Sequence, residues 1–496
     1  MSNKYFLTID IGTSVSKVIL YDSQFKRIAE AHDEISVYHP QPNFFEQNPN
    51  QWWTNVKKEI KEVVTKTNPK EIVGVGACAQ MHAPILVNNK GTPLFPCLSW
   101  PDLRTVEITN EINNVIDVPQ PYYTATAPKI LWIKRNNPDL IKKTYKILFP
   151  KDFVRMKISG TFCTDTNDAN GSGMFDEKAG SWNDKVVNYI GVSKDILPEP
   201  RKPEEVIGEV TKEAAEETGL VEGIPVITGS ADNLGRSLDR NASKARDLLV
   251  YIGTGSMIEY ISESGARPKG TFRSILGVEG TVPQWFKNNF CEEDRIQAER
   301  MGKSTWDFLD SEAEDVGQGA GGLVFLPHMM GERAFEGKTR NETGNFNPYA
   351  RGVIFGLCLG HSRKHIFRAI MEGTVYQLFL CWERIQSLNP GIVADRIVTS
   401  GGGASARVWR QMIADAFGLS VWIPTELETG TLAVACLISV SAGLSESFDS
   451  AIKKIDNPLT DVVKPIKENN AKYYKTYGLY KRLEEDLKEI LTTSQK

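Results

Sequence analysis

The stretch that decides the fold is YFLTIDIGTS at residues 5–14, because a similar stretch, DLLVYIGTGS, lies at residues 247–256. In both copies an apolar strand leads through Ile-Gly-Thr into a second strand, at residues 18–22 in the first copy and 257–262 in the second. An apolar run that turns back on itself at a glycine predicts a β-hairpin. Two such hairpins, about half a chain length apart, predict an internal duplication.

Segments of strand and helix type alternate after each hairpin, which predicts two α/β halves. We expect an N-terminal domain at 1–245 and a C-terminal domain at 246–496, joined through the polar run 240–246. Two segments rich in polar residues and glycine, 161–183 and 328–351, are predicted to be long loops, which are commonly functional in compact domains. The predicted helices are 49–67, 127–136, 366–384, 405–417 and 431–444, and the further predicted strands are 72–77, 226–228, 396–400 and 421–423.

The composition excludes several classes of protein. The chain has 496 residues, of which 41% are hydrophobic and 24% charged, and a formal net charge of −4. A nucleic-acid binder usually carries a basic face, and this charge balance does not predict one. No run approaches the roughly 20 apolar residues of a membrane span, and the N-terminus lacks the apolar core of a signal peptide. With seven cysteines and no CxxC spacing, we expect a cytoplasmic protein that binds neither nucleic acid nor membrane.

The two hairpin turns are candidate phosphate loops. Glycine lets the backbone approach a polyphosphate closely, so that N–H groups can contact its oxygens. Asp10 could hold Mg²⁺ through water. A plain hairpin turn is the alternative for one copy alone, and the second copy favours phosphate binding. The candidate ATP-binding residues here are Gly12, Thr13, Ser14 and Lys17 in the first copy and Gly253, Thr254 and Gly255 in the second.

A third glycine-rich loop follows the predicted strand 396–400 and opens the next helix. Close approach of the backbone to a flat ligand or a phosphate would require such residues, and a flexible strand–helix connection is the alternative. Neither GxGxxG nor the GxxxxGK[ST] phosphate loop occurs in the chain. The candidate ATP-binding residues of this loop are Gly401, Gly402, Gly403 and Ala404.

Asp232 is the candidate catalytic base. It follows a predicted strand in the run TGSADN at residues 228–233, whose small residues leave room for a ligand. A carboxylate in this position could take the proton from an attacking hydroxyl during phosphoryl transfer. The alternative, equally supported by the residues alone, is that Asp232 caps the following helix.

Two further motifs could contact a sugar. Met81 and His82 follow the predicted strand 72–77 and offer an apolar wall and a hydrogen-bonding group; a structural histidine is the commoner alternative. Asp102 and Arg104 lie beside the aromatic ring of Trp100, which suits a sugar. A solvated salt bridge over a core tryptophan is the competing interpretation of that second motif.

The ordered set of motifs resembles the FGGY carbohydrate kinases of the actin/hexokinase superfamily, and most of all the xylulokinases among them. This resemblance implies an α/β fold of two duplicated, ribonuclease H-like domains with a cleft between them, the second carrying the ATP site and a C-terminal helical tail. The motifs are DIGTS at 10–14, QMH at 80–82, TAPKILW at 126–132, FPKDF at 149–153, GSADN at 229–233, YIGTGS at 251–256, FLPHMMGER at 325–333, GVIFGLCLGHSRKHIFRAIMEG at 352–373 and SGGGASARVWRQMIADAFG at 400–418.

The resemblance also implies roles for single residues. Asp232 would be the base, Met81, His82 and Asn233 would contact the sugar with it, and Asp10 would bind the Mg²⁺ shell. The frame of the sugar site departs from the xylulokinase pattern. Alanine replaces the glycine on each side of QMH, at Ala79 and Ala83, and Pro101 replaces the asparagine that follows the tryptophan.

The sequence therefore predicts an ATP- and Mg²⁺-dependent sugar kinase that converts D-xylulose to D-xylulose 5-phosphate. Another pentulose or polyol, such as ribulose or arabitol, is the first alternative, and a non-catalytic binding or regulatory protein of the same fold is the second. We expect a small sugar and ATP as partners, with a homodimer left open as the oligomeric state.

Overall fold

The computed structural model describes residues 4–116, 124–253, 255–262, 274–275, 280–332 and 347–495. The chain forms two compact units, Met1–Leu238 with Glu428–Asp456, and Asp239–Leu427 with Asn457–Lys496. The first unit is thus completed by a segment that lies far along the sequence, which the predicted contiguous halves did not include. The domain bounds 1–245 and 246–496 stay a prediction.

The first unit is a mixed α/β structure whose elements follow in chain order. Its strands are β1 (Tyr5–Ile11), β2 (Val15–Asp22), β3 (Arg27–Glu34), β4 (Glu46–Gln47), β5 (Ile72–Ala79), β6 (Ile85–Val87), β7 (Cys97–Leu98), β8 (Lys146–Leu148), β9 (Cys163–Asp165), β10 (Phe175–Asp176), β11 (Ser181–Trp182), β12 (Glu199–Arg201), β13 (Val206–Glu209), β14 (Pro225–Ile227) and β15 (Ser230–Ala231). Its helices are α1 (Pro49–Val64), α2 (Val106–Val115), α3 (Thr126–Asn136), α4 (Pro138–Lys143), α5 (Pro150–Ser159), α6 (Thr166–Gly171), α7 (Asp184–Ile190) and α8 (Lys212–Thr218). The chain leaves this unit within α9 (Arg236–Asn241).

The second unit has its own sheet and helices. Its strands are β16 (Asp247–Ile252), β17 (Ser256–Tyr260), β18 (Ser274–Ile275), β19 (Val324–Leu326), β20 (Val353–Phe355), β21 (Arg396–Ser400), β22 (Val421–Pro424) and β23 (Leu459–Val463). Its helices are α10 (Thr281–Phe290), α11 (Glu292–Met301), α12 (Thr305–Val316), α13 (Arg363–Leu388), α14 (Arg407–Phe417) and α17 (Lys467–Gln495), while α15 (Thr429–Ser441) and α16 (Phe448–Lys453) belong to the first unit.

The two main sheets have the same topology. In the first unit the strand order is β3-β2-β1-β5-β14-β13, and in the second it is β18-β17-β16-β21-β22-β23. Each sheet begins with three antiparallel strands, continues with two parallel additions and ends on an antiparallel edge strand. The predicted duplication is therefore confirmed at the level of strand order and direction.

Successive residues of a strand point to opposite faces of the sheet. In the first sheet both faces are apolar, and helices cover both of them. Leu7, Ile9 and Ile11 of β1 pack into a cluster that includes residues of α1. Phe6 points to the opposite face and packs into a cluster that includes Leu432 and neighbouring residues of α15. Asp10 has the parity of Phe6, so its side chain belongs to the face covered by α15.

Glycines in β5 let α15 approach the sheet closely. A Cβ on Gly76 would lie 2.7 Å from Val434 Cγ1 and 2.9 Å from Ile227 Cδ1. Gly74 is equally tight, since its Cβ would lie 2.6 Å from Ile438 Cγ2. The glycines of β5 are therefore needed for packing rather than for backbone freedom.

Most predicted elements occur, with ends that shift by one to four residues. The long loop predicted at 161–183 is wrong, since this segment contains β9, α6, β10 and β11. The polar residues that suggested a loop instead begin and stabilise a helix, because the Asp165 carboxylate accepts hydrogen bonds from the backbone N–H groups of Asn167 and Asp168. Much of the other predicted loop, at 333–346, lies outside the described residues.

The C-terminal helix α17 packs through its tyrosines. Tyr473, Tyr477 and Tyr480 are buried in the core of the second unit. Within the part of the chain that the structure describes, every helix falls short of the length and apolarity needed to cross a membrane.

We expect Gly76→Ala to lower the free energy of unfolding of the first unit by about 1–3 kcal/mol, because the added methyl group overlaps two side chains in a packed core. Gly478→Ala is the matched control, since nothing lies within 4 Å of its Cβ position in α17 and alanine favours a helix. The midpoints of thermal unfolding of both variants measure the difference. A Gly76→Ala midpoint equal to or above that of Gly478→Ala would contradict this account of the packing.

Candidate active site

Three parallel strands of the first unit deliver their carboxyl ends to one edge of the sheet. Asp10 of β1 is in register with Cys78 of β5, and Cys78 is in register with Ser230 of β15. The residues that follow these strands therefore emerge side by side, and Asp232 is among them. Ligands commonly bind at this edge of parallel sheets.

Gly229 makes the path to Asp232 possible. The backbone leaves β14 and rejoins β5 as β15, and between them Gly229 has φ +73°, which favours glycine. A Cβ there would lie 2.0 Å from the carbonyl oxygen of Ala77. Asp232 then begins a short 3₁₀ turn whose N-cap is Ala231, so the predicted alternative that Asp232 caps a helix is not the observed arrangement.

One oxygen of the Asp10 carboxylate is buried without a partner among the described residues. This oxygen, Oδ1, accepts no hydrogen bond from any residue that the structure describes. Burial raises the pKa of Asp10 to about 7; Lys17 opposes this rise, while Asp232 and Glu428 add to it. A buried oxygen with two carboxylates nearby would be stabilised by a cation, which fits the predicted Mg²⁺ role.

Lys17 lies across the hairpin from Asp10, which is its cross-strand partner. Its Nζ forms a 2.5 Å salt bridge with Oε1 of Glu428, the residue before α15. Burial alone would lower the pKa of Lys17, but Glu428 and Asp10 outweigh that effect and raise it. The structure thus brings Lys17 to the candidate site and pairs it with Glu428, a residue that no sequence motif had indicated.

The Asp232 side chain is exposed to solvent, yet the surrounding protein limits its hydration. This desolvation raises the pKa of Asp232 to about 6, while Arg236 and the backbone N–H of Asn233 lower it. A carboxylate with a pKa near 6 is ionised at neutral pH and is a better proton acceptor than an ordinary aspartate. Asp232 is therefore suited to the role of a general base.

Protein side chains alone do not form a metal cage. Among the residues that the structure describes, no group of three or more His, Cys, Asp or Glu side chains is arranged to hold a metal ion. Mg²⁺ usually keeps several waters and binds through one or two carboxylates together with substrate phosphates. The orphaned Oδ1 of Asp10 fits that pattern of weak protein ligation.

Met81 and His82 lie together beside α6, and both are half-buried. His82 has φ +69°, an uncommon backbone conformation for a non-glycine residue. Its Nδ1 lies 2.7 Å from the carbonyl oxygen of Gly171, and Lys129 Nζ donates to the His82 carbonyl at 3.0 Å. These contacts fix the histidine in place but do not test its predicted contact with a sugar.

Gln80 stabilises the first glycine loop, a role that the sequence did not reveal. Its Nε2 donates to the Gly12 carbonyl at 3.2 Å and to Gln47 Oε1 at 2.7 Å. Trp100 Nε1 donates to Thr13 Oγ1 at 2.9 Å. The predicted Trp100 thus contacts the loop of Gly12, Thr13 and Ser14, and only the folded chain brings these motifs together.

Asp102 and Arg104 form a buried ion pair. Asp102 is fully buried, and its carboxylate accepts from the backbone N–H of Phe45 at 2.7 Å and from Arg104 Nε at 2.9 Å. Arg104 also pairs with Glu46 at 2.7 Å and lies 3.6 Å from the ring centroid of Phe44. A salt bridge is present, but it is buried rather than solvated and lies over Phe44 rather than Trp100. The sugar contact of this pair stays a prediction.

A buried charge cluster supports the strands that lead to Asp232. Lys151 Nζ contacts Asp152 and Asp165 at 2.6 Å each and Asp168 at 2.8 Å, and all four side chains are fully buried. Arg155 is the second cation of the cluster, 3.2 Å from Asp152, and it donates to the carbonyl of Thr228 just before Gly229.

Burial and crowding act together on the carboxyl groups of this cluster. Burial raises the pKa of Asp168 to about 8, with Lys151 opposing the rise and the other two aspartates adding to it. The two cations, Lys151 and Arg155, face the three aspartates, and such pairing lowers the cost of burying charge.

The glycine loops of the second unit lie next to each other. Tyr251 of β16 is in register with Ser400 of β21, so both loops follow neighbouring parallel strands. A Cβ on Gly401 would lie 2.6 Å from the carbonyl oxygen of Ile252, and one on Gly403 would lie 2.4 Å from Ile252 Cγ2. Gly253 N–H bonds to the Gly255 carbonyl at 3.1 Å. Gly402 is exposed, Ala404 is buried, and Thr254 lies outside the described residues.

Comparisons with known proteins cover nearly the whole chain. The N-terminal domain model of the FGGY family of carbohydrate kinases matches residues 5–236, and the C-terminal domain model matches residues 254–442. The chain is 29% identical to a xylulose kinase of Bacillus subtilis strain 168, over 99% of this chain and 98% of the relative. It is 27% identical to a gluconokinase of the same strain, over 95% and 94%. A gluconate kinase structure from Lactobacillus acidophilus covers 98% of both chains with a TM-score of 0.75 at 22% identity, and the predicted fold class is confirmed.

We expect Lys151→Met to lower the free energy of unfolding by about 3–5 kcal/mol, because it leaves buried carboxylates without their shared cation. Lys142→Met removes a lysine from an exposed pair with Asp139 and should change stability by less than about 0.5 kcal/mol. Thermal and denaturant unfolding of both variants measure the effect. Equal stability of the two variants would show that the buried cluster does not depend on Lys151.

Proposed function

Because the chain belongs to the FGGY family of carbohydrate kinases, we propose that it transfers the γ-phosphate of ATP to the terminal hydroxyl of a ketopentose, with D-xylulose as the first candidate. The observation that carries this proposal is the pair Asp10 and Asp232, which emerge together at the carboxyl edge of three parallel strands. Their raised pKa values suit two different tasks, binding a cation shell and accepting a proton. The similarity to xylulose kinases supports the choice of sugar.

In the proposed reaction Asp232 accepts the proton of the sugar hydroxyl as that hydroxyl attacks the γ-phosphorus. The ionised carboxylate also orients the hydroxyl for in-line transfer. Met81, His82 and Asn233 bind the rest of the sugar, with Trp100, Asp102 and Arg104 as more distant candidates. Positioning contributes much of the rate in phosphoryl transfer, since the protein forms no covalent bond itself.

The nucleotide would bind through the glycine loops. Backbone N–H groups of the loop at Gly12, with Thr13 and Ser14, would contact phosphate oxygens, and Lys17 would offset their charge. In the second unit Gly253, Thr254 and Gly255 would contact phosphate, and Gly401, Gly402, Gly403 and Ala404 would lie against the adenosine. Mg²⁺, when bound at Asp10, would neutralise charge on the phosphates.

We expect Lys17 to share or change its salt-bridge partner when ATP binds. Lys17 Nζ lies 2.5 Å from Oε1 of Glu428. A phosphate oxygen offers the lysine a second anionic partner, so binding of ATP would share or replace that contact.

Gluconate is the second candidate acceptor. A gluconokinase is 27% identical over nearly the full length, and the alanines and proline around the sugar motifs depart from the xylulokinase pattern. Gluconate is a six-carbon acid, whereas xylulose is a neutral five-carbon ketose, and the gluconate carboxylate would require a cationic or N–H donor in the sugar site.

A panel of acceptors with an ADP-release readout tests the proposed function. We expect D-xylulose to give the highest kcat/KM among D-xylulose, D-ribulose, D-arabitol, gluconate and glycerol, with ATP and Mg²⁺ present. Asp232→Asn should lower kcat by about 10²–10⁴-fold because the base is lost, while the affinity for ATP is retained. A higher kcat/KM for gluconate than for D-xylulose would make gluconate the proposed substrate. An active Asp232→Asn variant would refute the assigned base.

The pH dependence of kcat/KM reports the base directly. Protonated Asp232 cannot accept a proton, so activity should rise with pH through a midpoint of about 6 and reach a plateau above it. The profile is measured at saturating ATP and Mg²⁺ with the sugar varied. An Arg236→Gln variant should shift the midpoint upward, because Arg236 lowers the pKa of Asp232. An unshifted midpoint would show that another group causes the rise of activity with pH.

A further inference from the structure

Helix α6 connects two motifs that are proposed to bind the sugar. It spans only Thr166–Gly171, and its two ends contact different parts of the candidate site. The segment that contains it was predicted to be a functional loop, and neither the family match nor the motifs assigns it a role.

The first end of α6 contacts the residue next to the candidate base. Asn167 Nδ2 lies 2.5 Å from Asn233 Oδ1 and 3.3 Å from Ser230 Oγ. An amide oxygen that already accepts this bond leaves the Nδ2 of Asn233 to donate elsewhere. The contact therefore sets the polarity that Asn233 presents beside Asp232.

The other end of α6 fixes the histidine. The Gly171 carbonyl can only accept, so His82 Nδ1, 2.7 Å away, must carry the proton. In that tautomer Nε2 is an acceptor. Gly171 also has no room for a side chain, because a Cβ would lie 2.8 Å from both His82 Cε1 and Met81 Cε.

The charge cluster holds α6 rigidly between these contacts. Asp165 caps the helix through the backbone N–H of Asn167 at 2.8 Å, and Lys151 binds both Asp165 and Asp168. A short helix anchored by buried charges is a rigid support for neighbouring polar groups.

We propose that α6 determines the acceptor specificity of this kinase. Asn167 is a positioning residue that turns the Asn233 amide so that it donates to the sugar, and Gly171 fixes His82 as an acceptor. The inference rests on the proposed function, in which the sugar lies beside Asp232. A sugar with a hydroxyl or carboxylate opposite the Asn233 amide is thereby favoured over one without such an acceptor.

Asn167→Asp tests the polarity of the Asn233 amide. An ionised aspartate only accepts, so the Asn233 amide must turn to donate to it and then presents its oxygen to the sugar. We expect KM for gluconate to rise about tenfold, the effect of one lost hydrogen bond, because its carboxylate can only accept and would face an oxygen. KM for the neutral sugars should change less, because a hydroxyl can donate to the turned amide oxygen, so the selectivity among the five acceptors should change. KM for ATP should be unchanged.

Asn170→Asp is the matched control, since it introduces the same charge at an exposed position of the same helix. Asn167→Ser keeps a donor and should restore part of the selectivity.

If Asn167→Asp does not fold, Gly171→Ala replaces it, and its methyl group should raise KM for the sugar by displacing His82. Sugar KM values and selectivity equal to those of wild type in the folded variants, or equal changes in Asn170→Asp, would overturn the proposal. The sugar that the wild type phosphorylates best tests the proposed substrate. The role of α6 is tested separately, because each variant is compared with the wild type on that same sugar.

Discussion

The parallel pairing of β1 with β5 is the constraint on which the first unit depends. It aligns Asp10 with Cys78, and the further pairing of β15 extends that row to Ser230. The alignment places the candidate cation-binding carboxylate and the candidate base at one sheet edge, near enough for Asp232 to raise the pKa of Asp10. Hydrogen bonds between strands, rather than bonds between functional groups, therefore determine the geometry of the site.

Close packing around this sheet requires residues without side chains. Gly76 gives α15 access to β5, and Gly229 lets the chain cross from β14 to β15 against the backbone of Ala77. The approach of α15 in turn brings Glu428 to Lys17. A helix from a distant part of the sequence thus sets the electrostatics of the first glycine loop.

The buried charge cluster around Lys151 serves a different purpose from the charged residues that are proposed to contact substrate. Lys151, Arg155 and the three aspartates around them are buried and form ion pairs with one another. Buried ion pairs contribute little net stability but are costly to break. Their role here is to hold α6 and the Thr228 carbonyl in one arrangement, while Asp232 stays accessible to a ligand.

The sequence by itself determined the duplicated α/β fold, the hairpins and the glycine loops, and it selected Asp232 as a candidate base, because strand periodicity and glycine positions are local properties of the chain. It did not reveal Glu428, Asn167 or the contact of Gln80 with the first glycine loop, because their partners lie up to several hundred residues away. It also mistook α6 for a loop, since the capping function of Asp165 and its bond to Lys151 depend on contacts between segments. Only the tertiary structure decided these features, because parallel strand pairing and buried charge join residues whose spacing along the chain carries no signal.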